Sequence, residues 1–339
     1  MNKDCDYGYY DISFAGSTSA GKPLKQLVNV TCPYRGVKII PGINIKHFEK
    51  KLVSCQTAED VVNLLSQYSK NLLPTEKSIY AIFKDFASLN PGDSLENCLQ
   101  MLYTNCLTKL KLEEFQVIDE VDHMTRKLSP STALKIREKT TKCRMMIFNE
   151  SESNCFKRKS FLTSLEGIVP NENEKEIFDD IRHRALFLPT SGSSKNAFVV
   201  KYAYRSQDEA VRRLFSGSLA TLEHVTPSSF GGINNISNFL LTTADGNRYR
   251  ENMPLPVYIK RHPKIPQYAQ LYIDDIIDNI HAGKLKGNEN YPYKIKKKLM
   301  EESNGHIMLS LSKYKYTEEE ANEVTMENTA KWRRNKSED

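Results

Sequence analysis

Apolar positions in the first half of the chain recur with the spacing of amphipathic helices. In AEDVVNLLSQYSKNLL, side chains one helical turn apart share one face: Val61, Leu64, Leu65 and Tyr68. The same spacing predicts further helices over 76–86, 95–110, 113–128 and 129–148. We therefore expect a helical bundle in this half.

The pattern changes in the second half, after two polar breaks at 149–154 and 170–175. Short apolar runs predict strands over 197–202, 220–225 and 239–243. Helical spacing predicts helices over 207–215, from 245 onward, and over 265–280. The charged tail from Tyr316 is expected to be loosely held.

These patterns predict an α+β fold that is mainly α, in three parts. A helical domain over 1–165 would select the substrate or contact a partner. A domain over 176–258 would contain the strand–loop–strand–helix segment, and 259–339 would form a helical, basic extension.

Composition excludes several classes of protein. The chain has no apolar run of the length that a membrane helix needs, and its first residues, MNKDCDYGYY, lack an apolar signal region, so we expect a cytoplasmic protein. Its seven cysteines all lie in the first 155 residues and include no Cys-x-x-Cys pair. Neither a disulfide framework nor a standard zinc knuckle is therefore indicated.

The net charge of +6 is mild, but the basic residues cluster. Between 256 and 300, nine Lys and Arg residues stand against four Asp and Glu residues, a local excess of five. Beside a site that cleaves phosphodiester bonds, such a stretch is a candidate track for a nucleic-acid backbone.

Residues suited to phosphodiester hydrolysis lie around the predicted hairpin. His224, on the first strand, could take a proton from an attacking water. Glu223 and the amide of Asn247 could supply the hard oxygen ligands that Mg²⁺ prefers. Because adjacent side chains leave opposite faces of a strand, Glu223 and His224 share a site only if the strand kinks, which Pro227 favours.

Two arginines follow Asn247 on the same predicted helix. Arg248 and Arg250 could hold the phosphates that flank the scissile bond, because guanidinium groups bind phosphate through paired hydrogen bonds. We therefore predict both as substrate-phosphate ligands.

The segment 221–254 resembles the HNH, or ββα-metal, endonuclease family. It is most similar to the zinc-free version found in RNA-guided CRISPR effector nucleases. The resemblance is carried by Glu223-His224, Pro227, Gly231-Gly232, Asn238 and Asn247-Arg248…Asn252.

The resemblance implies a Mg²⁺- or Mn²⁺-dependent endonuclease that acts on DNA, with its nuclease domain over 176–258. His224 would be the general base, and Glu223 and Asn247 would be the metal ligands. Asn238 would brace the loop and orient the histidine strand. By analogy with family members in anti-phage defence, the protein would work with a partner such as an ATPase.

The segment departs from the family pattern in two ways. Glu223 stands where Asp is commoner. Many relatives also staple the fold with two Cys-x-x-Cys pairs; the positions of one pair read Thr243 and Gly246 here, and Cys32-Pro-Tyr-Arg35 resembles half of the other. We therefore expect packing, and not a structural zinc ion, to hold the motif.

Two alternatives stay open beside the nuclease interpretation, and one similar motif is set aside. The segment 16–22 matches a phosphate-binding P-loop, except that Pro23 replaces the hydroxyl residue that ligates Mg²⁺. A second acidic-His pair, Asp122-His123, lies in a helical pattern and reads as a surface pair. Finally, the hairpin could belong to a non-catalytic ββα subunit that binds nucleic acid or serves as a scaffold.

Overall fold

The computed structural model describes residues 19–149, 154–189, 198–203 and 205–337. It confirms the predicted α+β, mainly α class, with one antiparallel sheet of two strands among these residues. None of the helices described has the length and apolar character needed to cross a membrane.

The strands are β1 (Ala220–His224) and β2 (Phe239–Thr243). The helices are α1 (Ile45–Val53), α2 (Ala58–Ser66), α3 (Pro74–Leu89), α4 (Leu95–Met124), α5 (Pro130–Asn149), α6 (Asn154–Glu166), α7 (Lys175–Ala185), α8 (Gln207–Leu214), α9 (Ala244–Arg250), α10 (Leu255–Arg261), α11 (Ile265–His281), α12 (Tyr291–Glu302) and α13 (Glu318–Ser337).

The chain divides into two compact units whose limits differ from those expected from sequence. Within the described residues the first unit comprises 55–62 and 78–214, and the second comprises 19–54, 63–77 and 215–337. The expected boundary at 165–176 therefore falls inside the first unit. The second unit, which contains the hairpin, also includes a segment from near the start of the chain.

The polar stretch at 170–175 is a helix cap and not a linker. Asn171 and Glu174 form a capping box ahead of α7. Glu174 also accepts hydrogen bonds from the backbone nitrogen of Ser129 and the hydroxyl of Thr132 (3.0 Å). These bonds hold the pKa of Glu174 low, at about 2. Of the other polar break, residues 150–153 lie outside those described.

The first unit has an apolar core built by α4 to α7. The predicted helices over 95–110 and 113–128 are one helix, α4, because the residues between them contain no glycine or proline to end it. The buried side chains of this core are those of Val117, Ile118, Val121, Ile136, Cys143, Ile147, Phe161, Leu165, Ile168, Phe178, Ile181, Ala185 and Leu188.

The strand predicted over 197–202 is wrong. Phe198–Tyr202 form a π-helical turn, and the backbone nitrogen of Ala203 donates to the carbonyl of Phe198 at 2.8 Å. Phe198 and Val199 are buried. A short buried apolar run does not distinguish strand from helix by periodicity, which explains the error. Ala197 lies outside the described residues.

In the second unit, tyrosine hydroxyls cover the outer edge of the hairpin. The two strands pair from Ala220 with Thr243 to His224 with Phe239. Beyond β2, Tyr272 on α11 accepts from the nitrogen of Leu241 (3.2 Å), and Tyr291 on α12 donates to the carbonyl of Phe239 (2.8 Å). An isolated hairpin is marginally stable, so these contacts fix its position and satisfy its edge.

The P-loop-like segment has a packing explanation where the structure describes it. Gly21, Lys22 and Pro23 belong to a 3-10 helix, Ser19–Gln26. A Cβ atom added to Gly21 would lie 2.1 Å from Cδ1 of Leu222, so a larger residue at this position would have to displace the Leu222 side chain. Residues 16–18 lie outside the described part of the chain.

Residues 318–337 of the tail, which we expected to be loosely held, form the helix α13 and make specific contacts. On α13, the hydroxyl of Thr325 accepts from the nitrogen of Asn290 (3.0 Å), and the amide of Asn328 donates to Glu289 (2.6 Å). The helix is therefore held largely through polar contacts. A hydropathy pattern does not reveal such contacts.

A buried carboxylate holds the chain where it enters β1. Glu76 is fully buried and accepts hydrogen bonds from the nitrogen atoms of Leu73 (2.9 Å) and Ser218 (3.1 Å) and from the Ser218 hydroxyl. Burial raises the pKa of Glu76 to about 7, although these hydrogen bonds lower it.

We expect Glu76 to make the second unit more stable at mildly acidic pH. Its pKa is about 7 when folded and about 4.5 when unfolded, so the folded state binds the proton more tightly. This contribution, about 3 kcal/mol at most, is complete below pH 4.5 and is lost as pH rises through 7. Urea unfolding between pH 4.5 and 8 measures it. In Glu76→Gln the contribution should vanish, and an unchanged pH slope would contradict the assignment.

Candidate active site

The hairpin and the helix that follows it form a continuous β–loop–β–α unit. β1 ends at His224, and β2 leads directly into α9. Thr243, the last residue of β2, caps α9 by accepting from the nitrogen of Gly246 at 3.1 Å. The elements therefore have the order that the sequence predicted between 220 and 250.

His224 is fixed by two neighbours. Its ring packs against the ring of Phe239, with centroids 4.6 Å apart, and its Nε2 lies 2.8 Å from Oδ1 of Asn234. Because an amide oxygen only accepts hydrogen bonds, Nε2 carries a hydrogen in this pair. In the neutral ring Nδ1 then keeps the lone pair and can accept a proton.

Asn238 is buried and ties the two ends of the loop together. Its Oδ1 accepts from the nitrogen of Thr226 at 2.9 Å. Its Nδ2 donates to the carbonyls of Thr226 and Ile233, each at 3.1 Å. The side chain is thus a positioning group for the loop that carries Asn234, and its own polar atoms are bonded to backbone.

Glu223 and His224 leave opposite faces of β1. The strand keeps regular pairing through His224, so the kink that a shared site needs does not occur within it. Glu223 is 5 % exposed, and its Oε1 accepts from the Arg250 guanidinium. Burial raises the pKa of the Glu223 carboxyl, and Arg250 opposes that rise.

Arg250 is a buried structural residue, which corrects its predicted role as a phosphate ligand. It has no exposed surface. Besides Glu223, its guanidinium donates to the backbone carbonyls of His224 and Val225, both at 2.6 Å. A substrate phosphate cannot reach it. Arg248, two residues earlier on α9 and on nearly the opposite face of the helix, is exposed.

The metal site expected from Glu223 and Asn247 does not fit this arrangement. A cation at Glu223 would lie beside the positive charge of Arg250, inside the protein. The amide nitrogen of Asn247 donates to the carbonyl of Leu222 at 3.0 Å, which ties α9 to β1. Its Oδ1, the atom that a metal ion would need, is not used in that bond, so the misfit lies at Glu223. Among the described residues, no cluster of three His, Cys, Asp or Glu side chains could hold a metal ion.

The four positions that sequence analysis compared with two Cys-x-x-Cys pairs, namely Cys32, Arg35, Thr243 and Gly246, lie together. Sγ of Cys32 is 3.4 Å from the Thr243 hydroxyl. A Cβ atom added to Gly246 would lie 3.3 Å from Cys32 Sγ and 3.5 Å from Cγ of Arg35. Arg35 forms an ion pair with Asp245 at 2.7 Å. A thiol, a hydroxyl and an ion pair thus join the N-terminal segment to the start of α9.

No family model, curated protein or solved structure matches the chain. The functional interpretation therefore rests on the residues of this site and on their geometry.

Two neighbours of His224 were missed by sequence reasoning. Asn234 belongs to a loop of several asparagines, and nothing in their spacing tells which one reaches the histidine. Phe239 could have been found, since it is the residue opposite His224 once the strand register is set.

We expect Arg250→Met to lower the free energy of unfolding by about 3–5 kcal/mol, because it leaves the Glu223 carboxylate buried without its partner. Urea denaturation measures the change. The matched control is Arg248→Met, at an exposed position of the same helix, which should change stability little. Similar stability for both variants would show that the buried pair does not hold the hairpin.

We also expect the knuckle positions to accept zinc when they carry cysteines. The variant Arg35→Cys/Thr243→Cys/Gly246→Cys, with the native Cys32, places four thiols at converging positions, and four thiolates are a common structural zinc set. The purified variant should retain one zinc ion and melt at a higher temperature with zinc than after chelation. The control is the same variant with Cys32→Ser. A variant that folds without retaining zinc would show that these four positions do not converge closely enough to bind one ion.

Proposed function

We propose that the β–loop–β–α unit is an HNH-type endonuclease that hydrolyses phosphodiester bonds of DNA, with His224 as its general base. The observation that supports this most is the placement of the imidazole. It is partly exposed, is bonded through Nε2 to Asn234, and keeps the lone pair of Nδ1 for a proton.

In the proposed reaction, Nδ1 of His224 takes a proton from a water molecule as that water attacks phosphorus. The bond from phosphorus to the departing ester oxygen breaks, and the leaving oxygen gains a proton from solvent. Asn234 holds the ring in one orientation, and Asn238 holds the loop that carries Asn234. Exposed Arg248 is the candidate group for a neighbouring phosphate.

No step of the proposed reaction runs through a metal ion. Glu223, the carboxylate that the family resemblance implies as a ligand, is paired with Arg250 in a buried position. In this protein the proposed role of Glu223 is to hold α9 against the end of β1.

The same ion pair favours a second candidate function. With the Glu223 carboxylate bonded to Arg250, the unit could be a non-catalytic ββα subunit that binds nucleic acid or serves as a scaffold. In the first case DNA would bind but would not be cleaved, so binding and cleavage must be measured on the same preparation.

We expect His224→Ala to reduce cleavage of circular DNA by at least about a hundredfold, because the proton acceptor is removed. Asn234→Ala should reduce cleavage by about tenfold, because the ring loses its orienting bond. Initial rates of nicking and linearisation measure both effects, in reactions with Mg²⁺, with Mn²⁺ and with a chelator.

His123→Ala is the matched control, because His123 also follows an acidic residue and is exposed, but lies on α4 in the first unit. It should cleave at the parent rate. If His224→Ala cleaves as fast as the parent, His224 is not the base. If the parent binds DNA and leaves it intact under all three conditions, the non-catalytic function is favoured.

A further inference from the structure

The loop between the two strands displays two large apolar side chains to solvent. Phe230 is 63 % exposed and Ile233 is 65 % exposed. Large apolar side chains are buried in β2 but exposed in this loop, which also carries the polar residue Asn234.

The loop backbone is held in a single conformation by several contacts. The nitrogen of Phe230 donates to the carbonyl of Pro227 (2.9 Å), and Gly231 has a left-handed φ of 81°. A Cβ atom on Gly232 would lie 1.8 Å from the carbonyl oxygen of Thr226, so only glycine fits there. The apolar pair is thus preorganised, which reduces the entropy cost of binding a ligand.

This apolar pair adjoins the candidate base. Ile233 immediately precedes Asn234, whose amide oxygen is bonded to the His224 ring. The backbone carbonyl of Ile233 accepts a hydrogen bond from the Asn238 side chain (3.1 Å). A ligand that rests on Phe230 and Ile233 would therefore also lie near the imidazole.

Helix α12, which contacts the end of the same loop, carries four lysines and two glutamates. Helix α12 contacts the turn Ile236–Asn238, and the hydroxyl of Thr226 donates to Glu302 on that helix at 2.6 Å. The lysines of α12 are Lys294, Lys296, Lys297 and Lys298. Lys298 is paired with Glu302 at 3.0 Å, so the charge open to a ligand is that of Lys294 and Lys297, which are exposed. Exposed apolar side chains beside lysines are complementary to a polymer that carries both negative charge and flat apolar groups.

We infer that Phe230 and Ile233 bind unpaired bases of a nucleic acid while the lysines of α12 attract its phosphates. The inference rests on the proposed function for the role of the site, and it names single-stranded DNA, or an unpaired segment of DNA, as the substrate class. Bases in a duplex are stacked and expose only their edges. Unpaired bases offer apolar faces on which an aromatic ring can stack.

The test measures binding in a background that cannot cleave. Fluorescence anisotropy with His224→Ala protein compares a labelled single-stranded DNA oligonucleotide with a blunt duplex of the same sequence, at one fixed salt concentration. The single strand should bind at least about tenfold more tightly than the duplex. Phe230→Ser/Ile233→Ser should weaken single-strand binding by about tenfold or more, because base–aromatic stacking is lost.

Two variants control for the fold and for exposed apolar surface in general. Met308→Ser removes another exposed apolar side chain of the second unit (71 % exposed) and should leave binding unchanged. Phe230→Tyr keeps an aromatic face and should bind like the parent. Equal binding of duplex and single strand, or unchanged binding by Phe230→Ser/Ile233→Ser, would overturn the inference, as would a failure to bind DNA at all.

The outcomes also separate this inference from the proposed function. Phe230-dependent binding of single strands with no cleavage by the parent protein supports the base contact and rejects hydrolysis. Cleavage that requires His224 but is unaffected by Phe230→Ser, on single strands and duplexes alike, supports hydrolysis and rejects the base contact.

Discussion

The candidate site depends on one buried ion pair. Arg250, at the end of α9, reaches Glu223 and the backbone carbonyls of His224 and Val225. It thereby holds α9 against the end of β1, next to His224. Burying two charges is costly unless each is well bonded. Here two carbonyl oxygens and the carboxylate accept from the terminal nitrogens of the guanidinium, while its buried Nε has no hydrogen-bond partner among the described residues. The Glu223–Arg250 pair therefore fixes the position of α9 relative to β1 more than it adds to the free energy of unfolding.

The local order of elements could be predicted from the sequence because the hydropathy pattern is strong there. β2 is buried at every position, and its apolar run Phe239–Leu241 is bounded by polar residues on both sides. The capping residue Thr243 and the helix after it follow from ordinary start signals. The same local signals gave α5, which begins at Pro130 as predicted.

Side-chain orientation at the site could not be predicted in this way. Adjacent residues on a strand face opposite sides, but which side is buried depends on the partner that each finds. Arg250 looked like a phosphate ligand because arginines on exposed helix faces commonly are. Its burial is decided by Glu223, 27 residues earlier. The inclusion of 19–54 in the second unit was likewise invisible, because it rests on contacts between distant parts of the chain.

The contact between Cys32 and Thr243 spans 211 residues of sequence. During synthesis the N-terminal segment leaves the ribosome long before the strand that it packs against. At about 5–20 residues per second, roughly 10–40 seconds separate the two. The whole of 78–214, the main part of the first unit, is made within that interval. The second unit can therefore complete its fold only after the main part of the first unit has been synthesised, and its early segment must wait without its final neighbours.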